Sequence, residues 1–253
     1  MADADGIDCD GRRAVFAIVT SATPNTLQLL GSGFFVQTKG GFATAAHVAR
    51  DAQEILASNP GSVGISYTLP DGRTFFCPIW KFYFHPTADV AFGIPGAEFV
   101  NERTNDVYRS MVLCLTEAQP GIGAAISTWA YPLHRVLGDE QTGQALQLQP
   151  DFYNGALQEF YEERGPSAKI KPPYYLTNIY LHGASSGGPV FNNKGEVFGI
   201  ASCSYEGAED VAFVTPASKL LDIMVPERVG DDEDKATMVS LRAIAARGFI
   251  TMR

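Results

Sequence analysis

Apolar residues run through this chain in short bursts broken by turn residues, and only rarely with the 3.6-residue period of an amphipathic helix. In the first half, AVFAIV, LQLLGSGFFVQT and GFATAAHV are β-prone runs separated by Pro24-Asn25 and Gly40-Gly41. VGISYTLPDGRTFFCPIWKFYF holds two more, joined around Asp71-Gly72, a dipeptide that favours a hairpin, and DVAFGIP is a sixth. The second half repeats the style. AAISTWAYP is followed by ALQLQPDFYNGALQEFY, where Asn154-Gly155 predicts another hairpin. YYLTNIYL, GPVFN, EVFGIASCS and DVAFVTP complete a second set of about six strands.

Short strands at even spacing predict an all-β protein, a sandwich or barrels, and two sets of about six predict a double six-stranded β-barrel divided near residues 116–122. The first barrel is expected within 1–116, the second within 117–225, and a C-terminal helical tail within 226–253. Helical periodicity is confined to HVARDAQEILA, PASKLLDIM near 216–224 and DEDKATMVSLRAIAARG. The last has acids at its start, Arg247 in its last turn and Gly248 as its stop. Met238, Leu241, Ala245 and Gly248 would share one face, with Ile244 beside it, and dock on the body. Residues 162–173, EERGPSAKIKPP, are the most loop-like stretch and are expected to border a substrate cleft.

At 253 residues and 45% hydrophobic content, the chain is large enough for a substantial core. Its net charge of −9, with no Lys/Arg cluster, argues against a nucleic-acid partner. No stretch approaches the roughly 20 apolar residues that span a bilayer. The apolar run behind Arg12-Arg13, Ala14 to Val19, is shorter than the core of a secretory signal. A cytoplasmic protein with no membrane partner is expected. Cys9, Cys77, Cys114 and Cys203 show no Cys-x-x-Cys spacing, so no metal site is expected. Two disulfides are possible on count alone, but the last three cysteines sit in apolar runs that suit buried free thiols.

Chemistry concentrates in three places. LHGASSGGPVFN sets Ser185 and Ser186 among glycines that let a backbone approach a ligand closely and aim consecutive N–H groups at one point. Acyl transfer by a serine also needs a base and an acid that holds the base in its tautomer. His47, directly after the strand in GFATAAHVAR, is the candidate base; alone it would read as a capped histidine at a strand end. Asp89, in HPTADVAFG, is the candidate acid; alone it would read as a turn aspartate before a strand. His85 and His134 have no motif around them and are expected at turns or on the surface. The Asp231–Asp234 run reads as a solvated helix start.

Together, GSGFFV with ATAAHV, then DVAFG, then SSGGPV, resemble the histidine, aspartate and serine motifs of the trypsin/chymotrypsin-like serine peptidases, especially their disulfide-free bacterial members. The order His47, Asp89, Ser186 matches the chymotrypsin order, with separations of 42 and 97 residues. The resemblance covers roughly residues 13–224. It implies a chymotrypsin-like double barrel, a Ser-His-Asp triad, an oxyanion hole from the N–H groups of Ala184 and Ser186, and no cofactor. The Gly-Gly-Pro spacing favours Ser186 over Ser185. The implied partner is a protein or peptide substrate, and narrow specificity or activation by a protein partner is expected.

Three departures qualify the resemblance. The family motif reads Gly-x-Ser-Gly-Gly-Pro, whereas Ala184 stands two before Ser186 and glycine comes at Gly183. If that position needs φ > 0, alanine costs of order 1 kcal/mol, or Gly183 takes over the strained role. Ser185 replaces the aspartate through which digestive members respond to activation cleavage, so no such zymogen switch is expected. Val48 replaces a cysteine that follows the histidine in secreted members, which suits a reducing compartment. The primary specificity pocket implied by the family draws on Tyr180, His182, Gly183, Ser202 and Phe213. Tyr180 stands where trypsin-like enzymes are acidic, which favours a small or medium apolar residue, while Asp210 near the mouth would favour a basic one. Tyr180 is equally readable as an aromatic packed in the second barrel. Beside the active endopeptidase stands a second reading, the same fold with a disabled site serving as a binding module.

Overall fold

The computed structural model describes residues 11–23, 26–68, 74–96, 110–139, 143–181, 183–205, 210–228 and 236–253. Strands β1 (Val15–Thr23), β2 (Thr26–Phe35), β3 (Phe42–Thr44), β4 (Val63–Thr68), β5 (Thr74–Phe84) and β6 (Ala91–Pro95) close an antiparallel barrel in the order β1-β2-β3-β6-β5-β4. Strands β7 (Ala125–Asp139), β8 (Gly143–Tyr161), β9 (Tyr174–Thr177), β10 (Pro189–Phe191), β11 (Val197–Ser204) and β12 (Ala212–Pro216) close a second, in the order β10-β11-β12-β9-β8-β7. The all-β double barrel expected from the strand pattern is the fold observed. The Asp71-Gly72 turn lies outside the described residues, but Thr68 pairs with Thr74 across it.

The near-continuous apolar runs follow from burial on both faces of a strand, where side chains alternate. In β1, Phe16 and Ile18 point into the first barrel, whose aromatic centre stacks Phe16 against Phe35 at 4.6 Å and Phe42 at 5.2 Å. Val15, Ala17 and Val19 point the other way, into a cluster that also holds Leu115, Val197 and Ile200. The two barrels are therefore joined by core, and the site lies along that junction.

Asn154-Gly155 is not a hairpin. Both residues lie inside β8, with Ser127 opposite Asn154 and Ile126 opposite Gly155. The glycine serves a close approach instead: a Cβ there would overlap Asn178 Oδ1 and Ile179, and the Asn178 amide oxygen accepts from Ala156 N–H at 2.6 Å. The turn of this hairpin falls between Asp139 and Gly143, which pair.

Helix α1 (Ala46–Ser58) follows β3, and α2 (Ala217–Leu221) follows β12. The C-terminal helix is present but shorter than its period suggests. Ala236–Ser240 forms β14, paired with β13 (Met224–Arg228), and α3 begins only at Leu241 and ends at Ala246. Thr237 and Val239 are β-branched and favour the strand. Ser240 then caps the helix, its hydroxyl accepting from Ala243 N–H at 3.2 Å. Leu241 is buried and Ile244 and Ala245 pack on the joint core, as the helical face requires, whereas Met238 is exposed. Arg242 bridges Glu117 at 2.8 Å and Asp222 at 3.0 Å, fastening this tail to the inter-barrel connection. The Asp231–Asp234 run lies outside the described residues. No helix among the described residues is long and apolar enough to cross a membrane. Cys77 and Cys114 are buried free thiols and Cys203 is a half-buried one.

Candidate active site

His47 sits in the first turn of α1, three residues past Thr44, the buried end of β3, so the barrel fixes where its ring emerges. Asp89 lies in the loop between β5 and β6. Its Oδ1 accepts the His47 backbone N–H at 2.9 Å, and its Oδ2 lies 2.9 Å from His47 Nδ1. Burial by itself would raise the Asp89 pKa. The hydrogen bonds and charge of His47 outweigh it, with a smaller pull from the Ser202 hydroxyl, and hold the carboxyl below its usual value. With Nδ1 donating to Asp89, Nε2 is the nitrogen left to accept a proton.

The Asp89 loop is built by a residue whose role the sequence did not disclose. His85 is buried, not at the surface, and its Nδ1 accepts from the N–H groups of Thr87 at 3.1 Å and Ala88 at 2.8 Å. Desolvation chiefly, then Lys219, lowers its pKa, against an opposing effect of Asp222. A neutral ring with an unprotonated Nδ1 is what this loop requires. Only a histidine two to four residues ahead of the aspartate could have signalled it. His134 lies within β7.

Ser186 follows a single 3-10 turn over Gly183–Ser185. Its hydroxyl donates to the Ser202 carbonyl at 2.7 Å, and no hydrogen bond joins it to His47. The Ser202 carbonyl therefore holds Ser186, and the Ser202 hydroxyl lies 2.7 Å from Thr215 Oγ1. The competing Ser185 is fully buried, and its hydroxyl has no hydrogen-bond partner among the described residues.

The first N–H groups of a helical turn have no partner within it, and Ala184 is the second residue of this one. An oxyanion hole needs two such N–H groups pointing at one external oxygen. Gly183 is exposed and does not adopt positive φ. The left-handed residue of the segment is Gly187, at φ 90°, where a Cβ would overlap the Ser32 carbonyl and the Thr44 hydroxyl. Ser32, fully buried in β2, is a second residue that sequence reasoning missed. Its N–H donates to the Ser186 carbonyl at 2.8 Å, its hydroxyl donates to the Ala184 carbonyl at 3.0 Å, and that hydroxyl accepts from Tyr131 N–H at 2.9 Å. It ties the serine segment to both barrels.

The segments expected to line a specificity pocket are neighbours: Ser204 Oγ donates to the Leu181 carbonyl at 3.0 Å, and Cys203 pairs with Phe213. Tyr180 is half-buried with its ring edge-on to Tyr153 at 6.3 Å, and Phe213 is fully buried between Tyr174 and Tyr205. His182 lies outside the described residues. Asp210 is exposed. A cavity of about 540 Å³ adjoins His47 and Asp89, lined also by Cys203 and by Lys169 to Lys171 of the 162–173 stretch, which was expected to border a cleft from its place shortly before the serine motif.

Comparison with known proteins agrees with this architecture. Among solved structures, Deg5 superposes with a TM-score of 0.57 at 17% identity, over 82% of this chain and 85% of its own. The Rv3671c protease from M. tuberculosis superposes in its active form with a TM-score of 0.54 at 17% identity, over 83% and 78%. Its inactive form gives 0.52 at 17% identity, over 82% and 85%. No curated protein matches the sequence. The family model described as trypsin-like peptidase domain matches residues 31–200. Two barrels, a histidine held by an aspartate at their junction and that match together make this chain a member of the trypsin-like peptidase domain family.

Proposed function

We propose that this protein is a serine endopeptidase with Ser186 as nucleophile, His47 as general base and acid, and Asp89 as the group that orients His47. The observation that carries the reading is the Asp89 carboxylate, which binds both the N–H and the ring of His47. Ser186 Oγ attacks the peptide carbonyl and its proton passes to His47 Nε2. The tetrahedral oxyanion is received by Ala184 and Ser186 N–H, and the leaving amine departs with the proton from His47, forming an acyl-enzyme. Water then attacks the ester by the same path in reverse, releasing the acid. No metal or cofactor takes part in these steps.

One rearrangement precedes the first step: Ser186 turns about χ1 from the Ser202 carbonyl toward Nε2. Narrow specificity or activation by a protein partner fits this resting geometry. A reducing compartment such as the cytoplasm fits the thiols of Cys77, Cys114 and Cys203. The Ser186 hydroxyl held by Ser202 and not by His47 also favours a second reading, a disabled peptidase fold that binds protein or peptide without cleaving it.

A fluorophosphonate probe separates the two. Labelling of the wild type and of Ser185→Ala, but not of Ser186→Ala, supports the peptidase. A wild type that stays unlabelled at saturating probe supports the binding module.

A further inference from the structure

Three cations, Arg50, Lys169 and Lys171, line the cavity that adjoins His47 and Asp89. Among the described residues of its wall the one carboxylate is Asp89, whose oxygens are engaged by the N–H and ring of His47. The concentration is local, because the chain as a whole carries −9. Arg50 follows His47 by three residues in α1, so both side chains leave the same helix face. Its guanidinium lies over the Phe84 ring at 5.6 Å. Lys169 Nζ donates to the Ser204 carbonyl at 2.8 Å, which uses one of the three N–H groups of an ammonium.

The lysines stand on an anchored loop. Ile170 between them is buried in the cluster of Tyr174 and Phe213. Ser167 N–H donates to Tyr174 Oη at 2.8 Å, and the Ser167 hydroxyl accepts from the N–H groups of Lys169 and Ile170 at 3.2 Å. Asp51, Glu54, Glu162 and Glu163 are exposed nearby in sequence, yet none of the ion pairs among the described residues involves Arg50, Lys169 or Lys171. Concave walls carrying one sign of charge focus the field on whatever enters.

We propose that this cavity receives an acidic side chain of the peptide substrate, an Asp or Glu within about two residues of the scissile bond at the ~3.3 Å rise of an extended chain. This rests on the reading of the protein as a serine peptidase. Arg50, Lys169 and Lys171 are then its specificity-determining residues. The interaction is partly exposed and so weakens as salt screens it.

The test measures binding, so that it stands whether or not the resting protein cleaves. Fluorescein-labelled peptides of the repeat Ala-Leu-Ala-X, with X as Glu, Gln or Lys, are titrated with the Ser186→Ala protein at about 50 mM and about 500 mM salt. The Glu peptide is expected to bind at least about fivefold more tightly than the Gln peptide at low salt, and the Lys peptide more weakly than either. The advantage should shrink at high salt and vanish in the triple variant Arg50→Gln, Lys169→Gln, Lys171→Gln. It should persist in Lys39→Gln with Lys194→Gln, which removes exposed cations away from the cavity. Equal binding of Glu and Gln peptides, or a preference that survives in the triple variant, overturns the proposal. Fluorophosphonate labelling of Ser186 is unaffected by that outcome, so failure here and failure of the peptidase reading are distinct.

Discussion

The hydroxyl of Ser186 and the carbonyl of Ser202 are hydrogen-bonded at 2.7 Å, so at rest the candidate nucleophile is held by the strand behind it and not by its base. Leaving that bond costs little, because a hydroxyl exchanging one acceptor for another loses on the order of 1 kcal/mol or less. What makes the exchange productive is a His47 ring already in the right tautomer. Asp89→Asn removes that control, since an amide can present its NH2 to Nδ1 and leave the proton on Nε2. Peptidase activity, or the rate of fluorophosphonate labelling, should fall by on the order of 10⁴ while the fold persists. A loss smaller than about tenfold would mean that Asp89 does not set the tautomer.

Ala184 stands where an oxyanion donor is expected, inside a 3-10 turn. If aiming its N–H at the oxyanion requires φ > 0 there, alanine opposes it by about 1 kcal/mol, and Ala184→Gly should speed labelling of Ser186 about fivefold. An unchanged labelling rate would show that residue 184 serves the oxyanion in an ordinary conformation.

Ser32 joins the serine segment to both barrels through its hydroxyl. Ser32→Ala removes the hydroxyl that accepts from the buried Tyr131 N–H and donates to the Ala184 carbonyl. Stability should fall by about 2 kcal/mol, read as a lower denaturant midpoint with an unchanged slope. A midpoint equal to wild type would mean that these bonds are replaced when the hydroxyl is lost.

Acid should loosen the site in two stages. The folded-state pKa of His85 lies below its usual 6.5, chiefly through desolvation. The unfolded chain therefore takes up the proton first as pH falls. The contribution of His85 to stability is complete above about 6.5 and is lost as pH drops through its folded value. Asp89 has the same sign at lower pH: its depressed pKa gives stability that is complete above about 3.8 and lost through its folded value. Thermal melts between about pH 7 and 5 should fall for wild type and flatten for His85→Asn, whose amide oxygen keeps an acceptor for Thr87 and Ala88 N–H. An equally steep fall in His85→Asn would assign the dependence elsewhere.

Most of the strand plan was legible because barrel strands carry their own local signals. β1 to β6 and β9 to β12 are apolar runs between turn residues, and His47, Asp89 and Ser186 each sit in a short motif at a strand end. The failures were local signals with two possible uses. Asn154-Gly155 is good turn chemistry, but here the glycine admits Asn178 and Ile179, which lie far beyond it in the chain. ATMVS shares its period with the helix that follows, yet it pairs with β13 because that strand was free to be paired.

By itself, then, the sequence determined the two barrels, the loop at the cleft and the three residues whose chemistry fits acyl transfer. These rest on side-chain alternation, turn residues and reactive groups, all of which are properties of short segments. Only the tertiary structure decided that Ser186 rests on Ser202, that Ser32 and His85 hold the site's loops, and that Arg50, Lys169 and Lys171 converge on the cavity beside His47. Each of those depends on which hydrogen-bond acceptor or which wall lies nearest once distant strands have closed into barrels, and a hydroxyl, an imidazole or an ammonium carries no local sign of the partner it will meet.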